Sequence, residues 1–365
     1  MLESRSREQI ETTLRAGVLE QGTVDLMREL GVGARMDAQA QFHGGVEIRF
    51  RGERHRVDFV RLAGGRRIAL YAQHEVIKDL VAALLDRGGR IEFSVANVEI
   101  RGLADGRPVV AHRAAGGRAQ ELQCNFVAGC DGFHGPSRAA LPAAARTEHH
   151  KVLPFSWLGI LAQAPLSAPE LVYTHSDRGF ALLSTRSPEV QRMYLQVDPR
   201  DDIAAWPDAR VWEELHARTA VAGGGWRLIE GPVVQKGVVD MRAFICDPMR
   251  HGPLFLAGDA AHIVPPTGAK GLNLAVDDAQ TMAAGLGAHY GGGGDGLLDR
   301  YSAICLRRAW RAVRFSLFMT RLLHRDPAHG PLDRAVQLAE LDYLTSSEAA
   351  MASLAENYVG LPLLW

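Results

Sequence analysis

The sequence is poor in lysine, cysteine and net charge, and it lacks a long apolar run. Only four of its 41 Lys and Arg residues are lysine and the formal net charge is −1, so the composition does not favour a nucleic-acid-binding protein. No apolar stretch has the length of a membrane span and no secretion signal opens the chain. The cysteines show neither a CxxC pair nor a disulfide framework, and we expect reduced thiols, no metal site and a cytoplasmic protein. These cysteines are Cys124, Cys130, Cys246 and Cys305.

The composition and periodicity predict a folded α/β chain. With 365 residues, of which 47% are hydrophobic and 23% charged, the chain can bury a full core in one large or two ordinary domains. Helical spacing of apolar residues predicts helices at 24–30, 76–87, 206–215 and 301–323. Apolar runs predict strands at 155–162, 171–173, 180–184 and 193–197, which we interpret as one sheet.

The most informative stretch runs from residue 254 to residue 279. An apolar run, Leu254 to Ala257, predicts a buried strand, and a helical pattern begins near Gly271. Asp259, at the end of the strand, can accept hydrogen bonds from ligand hydroxyls, and Gly268 lets the backbone approach a flat ligand closely. The helix start offers unpaired N–H groups to a negative charge. From these features alone, a strand–helix connection with nothing bound remains the alternative.

The motif in this stretch resembles a known family. Gly-Asp-Ala-Ala-His at 258–262, followed by Pro-Pro-x-Gly-x-Lys-Gly-x-Asn at 265–273, is similar to the pattern of single-component flavoprotein aromatic hydroxylases. A second run, Gly129 to Gly135 with its Asp-Gly pair, resembles the fingerprint that this family shares between its FAD and NAD(P)H regions. The resemblance covers almost the whole chain, from about residue 2 to residue 362.

The resemblance implies an α/β fold with α+β elements. In this fold a Rossmann-like FAD-binding domain carries an inserted β-sheet substrate domain and ends in a C-terminal helical segment. The implied boundaries are 1–150 and 236–290 for the two parts of the FAD-binding domain, 151–235 for the substrate domain, and 291–365 for the helical segment, where a homodimer interface is expected.

The first unit of the FAD-binding domain has no counterpart here. Glu3 resembles the acidic residue that binds adenosine ribose, but no strand, G-x-G-x-x-G turn and helix precede it. Gly31-Val32-Gly33 lacks the third glycine. We therefore expect that about 30 residues of a βαβ unit are missing, because the start of the sequence is misplaced or because the chain is naturally truncated. We favour the misplaced start.

Several residues are implied to bind FAD, with NADH or NADPH as co-substrate. Thr13 stands where NADPH-preferring members carry an arginine, which favours NADH, although Arg5 and Arg7 can still serve a 2′-phosphate. A surface salt bridge is the alternative role for Arg15. The implied FAD residues are Glu3 at the ribose, Arg15 near the pyrophosphate, Gln73 on the flavin, Asp259 on the ribityl chain, and Gly268, Leu272 and Asn273 beside the ring.

The resemblance also implies the substrate, a benzoate carrying a 4-hydroxyl. Ser184 and Arg186 are two residues apart on one predicted strand, so they point to the same side, and Arg186 can bind a carboxylate bidentately. Tyr194 adds a hydrogen bond, and Tyr173 and the carbonyl of Pro266 would meet the phenol. The alternative for Arg186 is a surface-exposed position.

The implied reaction is hydroxylation of 4-hydroxybenzoate to 3,4-dihydroxybenzoate with NAD(P)H and O₂. Tyr173 would accept the phenolic proton and pass it through Tyr358 and His43 to solvent. Histidine suits this step because its pKa lies near working pH, although a lone histidine is more often structural. The alternatives are a hydroxylase of a related aromatic acid, an uncoupled NAD(P)H oxidase, or a truncated paralogue that binds aromatic acids without catalysis.

Overall fold

The structure is a computed structural model that describes residues 1–13, 15 and 17–365; Leu14 and Ala16, on either side of Arg15, lie outside the described residues. The helices are α1 (Arg7–Thr12), α2 (Gln21–Glu29), α3 (Ala34–Gln39), α4 (Phe59–Leu62), α5 (Gln73–Asp86), α6 (Pro136–Ala140), α7 (Asp208–Thr219), α8 (Gly271–Tyr290), α9 (Gly296–Asp299), α10 (Tyr301–Leu323), α11 (Pro331–Ser346) and α12 (Glu348–Val359). The strands are β1 (Val18–Leu19), β2 (Gln41–His43), β3 (Gly45–Phe50), β4 (Glu53–Asp58), β5 (Ile68–Leu70), β6 (Ala96–Arg101), β7 (Val109–Arg113), β8 (Ala119–Gln123), β9 (Val127–Gly129), β10 (Thr147–Gln163), β11 (Leu171–Thr174), β12 (Ala181–Ser187), β13 (Val190–Val197), β14 (Val233–Asp247), β15 (Arg250–His251), β16 (Leu254–Leu256) and β17 (His262–Ile263).

The largest sheet has the strand order β17-β14-β10-β13-β12-β11-β3-β4. In β13, buried and half-buried residues alternate, because successive side chains point to opposite faces of a sheet. One face packs against α10, α11 and α12, and the other packs against α7. The sheet also includes β3 and β4, at residues 45–58, which precede the 151–235 segment predicted for the substrate sheet. Strands from two distant segments therefore build one surface.

Smaller sheets complete the part of the molecule that precedes α8. The apolar strand β16 is fully buried and lies between β9, in parallel, and β15. The other small sheets have the strand orders β1-β5-β2 and β6-β7-β8, and Leu2 forms a parallel bridge with Glu92. Within residues 1–13, 15 and 17–365, no helix combines the length and the apolar character needed to cross a bilayer.

Candidate cofactor and substrate site

The turn after β16 is shaped by a buried carboxylate. Gly258 has φ +61°, a left-handed conformation that glycine adopts without strain. Its N–H donates to Asp278 Oδ2 at 2.9 Å, and the same oxygen lies 2.7 Å from His262 Nε2. Burial opposes protonation of His262, but the Asp278 carboxylate offsets this and raises the pKa of the imidazole. Between these braced residues, Asp259 is exposed, where a ligand can reach it.

The first turn of α8 presents backbone N–H groups beside this turn. The N–H of Leu274 donates to the carbonyl of Lys270 at 3.0 Å, so the N–H groups of Gly271, Leu272 and Asn273 precede the helix's own hydrogen bonds. In the described part of the chain, no side chain caps this end. A Cβ built at Gly271 would find its nearest neighbour 3.8 Å away, so the approach is open. An uncapped helix N-terminus favours an anion, and these residues fit the FAD that the sequence predicts.

The side chain of Asn273 is engaged within the protein. Its Oδ1 accepts hydrogen bonds from the Glu20 N–H at 2.9 Å and the Thr23 hydroxyl at 2.8 Å, so it fixes α8 to α2 and leaves the backbone N–H for a cofactor.

Gly268 has a packing role as well as the predicted flavin role. A Cβ at Gly268 would lie 2.4 Å from Ser316 Oγ, so glycine allows the loop to approach α10.

The remaining predicted cofactor residues lie on separate elements. Gln73 begins α5 and is half-buried. Glu3 is half-buried, and its Oε1 accepts a hydrogen bond from the Arg5 N–H at 2.9 Å. Arg15 is exposed, and its carbonyl accepts a hydrogen bond from Arg186 Nη1 at 2.9 Å. The cofactor segment is thus joined directly to the predicted substrate strand.

Three predicted substrate residues share one face of the large sheet. Tyr173 is paired with Leu182, and Leu182 with Tyr194; directly opposite residues of antiparallel strands point to the same side. Ser184, two residues beyond Leu182, is paired with Arg192. Arg192 therefore adds a guanidinium to this face. Sequence reasoning missed it, although its position two residues before Tyr194 on the same strand was an available signal.

Arg186 follows on the same strand, β12, where the register with β13 shifts between Thr185 and Ser187, so the regular alternation that predicted a shared side with Ser184 is interrupted at this residue. Its Nη2 lies 3.2 Å from His74 Nδ1, and because guanidinium nitrogens only donate, His74 must accept as a neutral ring. Burial and the neighbouring Arg186 lower the pKa of His74. Burial, followed by Arg192, also lowers the pKa of Arg186. His74 was not recognised from the sequence.

The neighbouring strands β12 and β13 carry positive charge, on Arg186 and Arg192, without a matching carboxylate among the described residues. Glu75 is the carboxylate that acts on Arg186 from a distance. Glu75 is itself paired with Lys78 at 2.7 Å and with Arg35. Among the described residues, neither Arg186 nor Arg192 forms an ion pair with Asp or Glu. Guanidinium groups in such a position can donate hydrogen bonds to an anionic ligand group.

A buried pair of tyrosines lies on the same side. The hydroxyls of Tyr173 and Tyr358 are hydrogen-bonded to each other, and the Tyr173 hydroxyl lies 3.4 Å from the carbonyl oxygen of Thr267. Burial raises the pKa of both tyrosines, and for Tyr173 the bond from Tyr358 offsets part of this effect. Pro266 is exposed beside Thr267, and its carbonyl accepts a hydrogen bond from the Ala269 N–H at 3.0 Å. The structure thus brings Tyr173, Tyr358 and the Pro266 loop together.

His43, at the end of β2, is buried but lies outside this hydrogen-bonded group. Neither of its ring nitrogens has a hydrogen-bond partner among the described residues, and burial lowers its pKa to about 4. The next residue, Gly44, accepts a hydrogen bond from the Phe59 N–H at 2.8 Å, and the Phe59 ring stacks on Tyr358 with centroids 5.0 Å apart. The direct hydrogen-bonded path therefore ends at Tyr358.

A cluster of buried charges behind Tyr358 was not predicted from the sequence. Lys270 Nζ donates to Glu20 Oε1 at 2.8 Å and to the Tyr358 carbonyl at 3.0 Å, and burial lowers the pKa of Lys270. Arg308 is hydrogen-bonded to Asp277. Burial raises the pKa of Asp277 to about 7. Lys270 is the lysine of the 265–273 motif, but it lies 250 residues from Glu20, so no local pattern could have paired the two.

Comparison with known proteins identifies relatives of the whole chain. A family model described as an FAD binding domain matches residues 1–316. The p-hydroxybenzoate hydroxylase of Acinetobacter baylyi is 43% identical over 363 residues, which cover 99% of this chain and 89% of the relative. A putative polyketide hydroxylase of Streptomyces halstedii is 29% identical over 245 residues, covering 62% of this chain and 42% of the relative.

Solved structures share the fold. The crystal structure of p-nitrophenol 4-monooxygenase from Pseudomonas putida matches with a TM-score of 0.80 at 21% identity, covering 97% of this chain and 89% of that one. An aklavinone-11 hydroxylase, solved in a ternary complex with FAD and aklavinone, matches with a TM-score of 0.72 at 22% identity, covering 91% of this chain and 67% of that one. The predicted mixed α/β fold is confirmed.

Proposed function

This chain belongs to the FAD binding domain family, together with the p-hydroxybenzoate hydroxylase of Acinetobacter baylyi, and from that premise we propose that it hydroxylates 4-hydroxybenzoate beside the phenol. The reaction consumes NAD(P)H, a proton and O₂ and yields 3,4-dihydroxybenzoate, NAD(P)⁺ and water. One oxygen atom enters the ring and the other leaves as water, with two electrons from the nicotinamide. FAD, when bound, supplies the electron transfer and the activation of O₂.

The observation that carries the proposal is the presence of two features beside the neighbouring strands β11, β12 and β13. Arg186 and Arg192 place positive charge there without a carboxylate partner among the described residues, and Tyr173 with Tyr358 forms a buried hydroxyl pair. A benzoate with a 4-hydroxyl has a carboxylate at one end and a phenol at the other. Arg186 and Ser184 would bind the carboxylate, while Tyr173 and the Pro266 carbonyl would meet the phenol.

The protein's own contribution is to hold the substrate and move its phenolic proton. Tyr173 would accept that proton and Tyr358 would carry it onward. His43 would deliver it to solvent, with a water bridging the step from Tyr358 because no direct hydrogen bond joins them in the described structure. Burial keeps His43 neutral, so a ring nitrogen is free to accept a proton, but the pKa of about 4 makes it a weaker acceptor than the histidine expected from the sequence, with its pKa near working pH.

FAD would be held by exposed Asp259 and by the N–H groups of residues 271–273, with Gln73, Arg15 and Glu3 along its length. For the co-substrate, we propose that NADH is accepted. Thr13 carries no charge, and the Arg7 guanidinium is bonded to Glu11 at 2.6 Å, which leaves fewer positive groups for a 2′-phosphate.

The proposed oligomeric state and domain roles are taken from the family resemblance. We propose a cytoplasmic homodimer in which residues 151–235 bind substrate, 1–150 and 236–290 bind FAD, and 291–365 contribute to the contact between subunits. Exposed apolar residues on α11 support the dimer.

The test is NADH and NADPH oxidation by the purified chain with added FAD, with and without 4-hydroxybenzoate, while 3,4-dihydroxybenzoate is assayed. Substrate-stimulated oxidation with matching product is the expected result. Oxidation without product would indicate an uncoupled oxidase. Product from a different aromatic acid but not from 4-hydroxybenzoate would indicate a related hydroxylase, and failure to bind FAD or turn over would leave the non-catalytic paralogue.

A further inference from the structure

His324 follows the last residue of α10 and is almost completely enclosed, with 1% of its surface exposed. Its Nδ1 lies 3.0 Å from the carbonyl oxygen of Thr320, which can only accept, so Nδ1 carries the proton. Its Nε2 lies 2.6 Å from Trp157 Nε1, which can only donate, so Nε2 is the acceptor. These two partners define one neutral tautomer of the ring. Burial lowers the pKa of His324 to about 3 and so keeps the ring neutral.

The ring of His324 is also stacked between aromatic side chains. Its centroid lies 4.7 Å from that of Phe155 with an interplanar angle of 9°, and 4.2 Å from that of Phe180 with an angle of 24°. The Trp157 ring lies 5.7 Å away, again with an angle of 9°. Stacking and hydrogen bonding together leave His324 one orientation.

Three neighbours of His324 lead to residues of the proposed substrate site. The Trp157 ring packs on Tyr194 with centroids 4.8 Å apart, and the Phe180 ring lies 6.2 Å from that of Tyr173. Gly159, two residues after Trp157 on β10, is paired with Tyr194 in the sheet, and a Cβ there would lie 3.2 Å from the tyrosine ring, so this strand holds the ring closely.

The third connection runs through two threonines. The Thr320 hydroxyl lies 2.6 Å from the carbonyl of Ser316 and 2.9 Å from the hydroxyl of Thr267. Because a hydroxyl has one proton, Thr320 donates to Ser316 and accepts from Thr267. The carbonyl of Thr267 is in turn the group 3.4 Å from the Tyr173 hydroxyl.

We propose that His324 is a positioning residue for the substrate pocket: as a neutral acceptor it holds Trp157 against Tyr194. This role rests on the proposed function, because Tyr194 matters only if the aromatic acid binds beside it. The Trp157 indole is buried, and loss of its acceptor would leave the N–H unpaired, which favours rotation of the ring away from its present position.

The decisive variant is His324→Phe, which keeps an uncharged stacked ring but removes the acceptor. We expect the Kd for 4-hydroxybenzoate, measured by equilibrium dialysis with FAD-loaded protein, to rise about tenfold or more, and product per NADH to fall. The Kd for FAD should stay within about twofold. His324→Gln, whose side-chain oxygen can accept from Trp157, should restore most of the substrate affinity.

A double variant separates positioning from general loss of packing. In Trp157→Phe the donor is absent, so adding His324→Phe should change the Kd for 4-hydroxybenzoate by less than about twofold. Leu344→Ala, a core change on α11 in the same apolar cluster, controls for lost stability and should leave that Kd near the wild-type value. If His324→Phe does not fold, Trp157→Phe, which removes the donor, tests the same bond, and a Kd for 4-hydroxybenzoate within about twofold of the wild-type value would overturn the role.

The outcomes for this role and for the proposed function are distinguishable. If wild-type protein does not bind 4-hydroxybenzoate, the proposed function is wrong, and the role of His324, which depends on it, is wrong as well. If wild-type protein binds it and His324→Phe binds it equally well, or if Leu344→Ala reproduces the loss, the positioning role is overturned. If the double variant is much weaker than Trp157→Phe alone, His324 does not act through Trp157, which also overturns the proposal.

Discussion

At the scale of the single residue, the charge on Arg186 should distinguish an acid from its amide. We predict that Arg186→Gln raises the Kd for 4-hydroxybenzoate about 10- to 100-fold, because a hydrogen bond to a charged group contributes about 1.5–3 kcal/mol. Binding of uncharged 4-hydroxybenzamide should change by less than about threefold. Arg200→Gln is the control, since Arg200 is exposed and paired with Asp198 at 2.8 Å. Equal losses for acid and amide would contradict the assignment.

The hydroxyl of Tyr173 should matter for product and much less for reduction of the cofactor. We predict that Tyr173→Phe still oxidises NAD(P)H but that product formation falls by about 10²-fold, the lower end of general acid–base contributions. The measurement is 3,4-dihydroxybenzoate formed per NAD(P)H consumed. Tyr343→Phe, on the exposed face of α11, should be unaffected. A Tyr173→Phe enzyme with wild-type coupling would exclude the tyrosine relay.

The buried ring of His43 predicts a loss of stability in acid. Its pKa falls from 6.5 to about 4 on folding, so between these values the unfolded chain binds the proton and the folded chain does not. The free energy of unfolding of wild type relative to His43→Leu should therefore fall by about 2 kcal/mol from pH 7 to pH 5. Urea unfolding with constant excess FAD measures it. The difference in unfolding free energy between wild type and His43→Leu should stay nearly constant between pH 7 and pH 8. If it also stays constant down to pH 5, His43 is protonated to the same extent in the folded and the unfolded chain, and its pKa is not lowered by burial.

Individual side-chain partners were the least predictable feature of the site. The alternation of a strand predicts that Ser184 and Arg186 point to one side, since this depends on local geometry alone. That Arg186 meets His74 and the Arg15 carbonyl depends on contacts between segments far apart in the chain. No local pattern encodes such contacts, and His324 was missed for the same reason.

At the scale of the element, the turn between β16 and α8 should control cofactor affinity. Asp259 is exposed while Asp278 braces the turn from within, so Asp259→Ala removes a ligand contact with little change in the fold. We predict that the Kd for FAD, measured by quenching of flavin fluorescence, rises about tenfold or more. Asp105→Ala, in an exposed turn, is the matched control. If both variants bind FAD like wild type, Asp259 does not hold the ribityl chain.

Elements with strong local signals were predicted well. The apolar pattern at 301–323 gives α10 at Tyr301–Leu323, and the apolar run at 254–257 gives β16 at Leu254–Leu256. The helix predicted at 206–215 is shifted and spans Asp208–Thr219, with Pro207 at its N-cap. Proline disfavours helical backbone in the residue before it, so the helix cannot include Trp206.

At the scale of the whole molecule, the arrangement of the large sheet was beyond local reasoning. Tyr173 lies beside Ile48 because β11 pairs in parallel with β3, and this pairing joins segments more than a hundred residues apart. The pattern of β3 is compatible with a strand in any sheet. The family resemblance predicted the layered fold, but the strand order comes from tertiary packing.

The surface of the whole molecule predicts its assembly. Leu332, Val336 and Tyr343 are 76%, 60% and 56% exposed, and their helical spacing places them on one face of α11. Apolar patches of this kind mark interfaces, and a two-fold dimer would bring the same face of both subunits together. Val336→Asp would bury two charges across that contact, so we predict a monomer at concentrations where wild type is a dimer.

Light scattering coupled to gel filtration measures the mass of each form. Leu122→Asp is the control, because Leu122 is also exposed but lies on β8, and it should remain dimeric. Each variant should still bind FAD, since α11 lies apart from the Asp259 turn and the start of α8. If Val336→Asp protein stays dimeric, the interface lies on another surface. If wild-type protein is a monomer, the proposed dimer is wrong, but the proposed substrate site is unaffected.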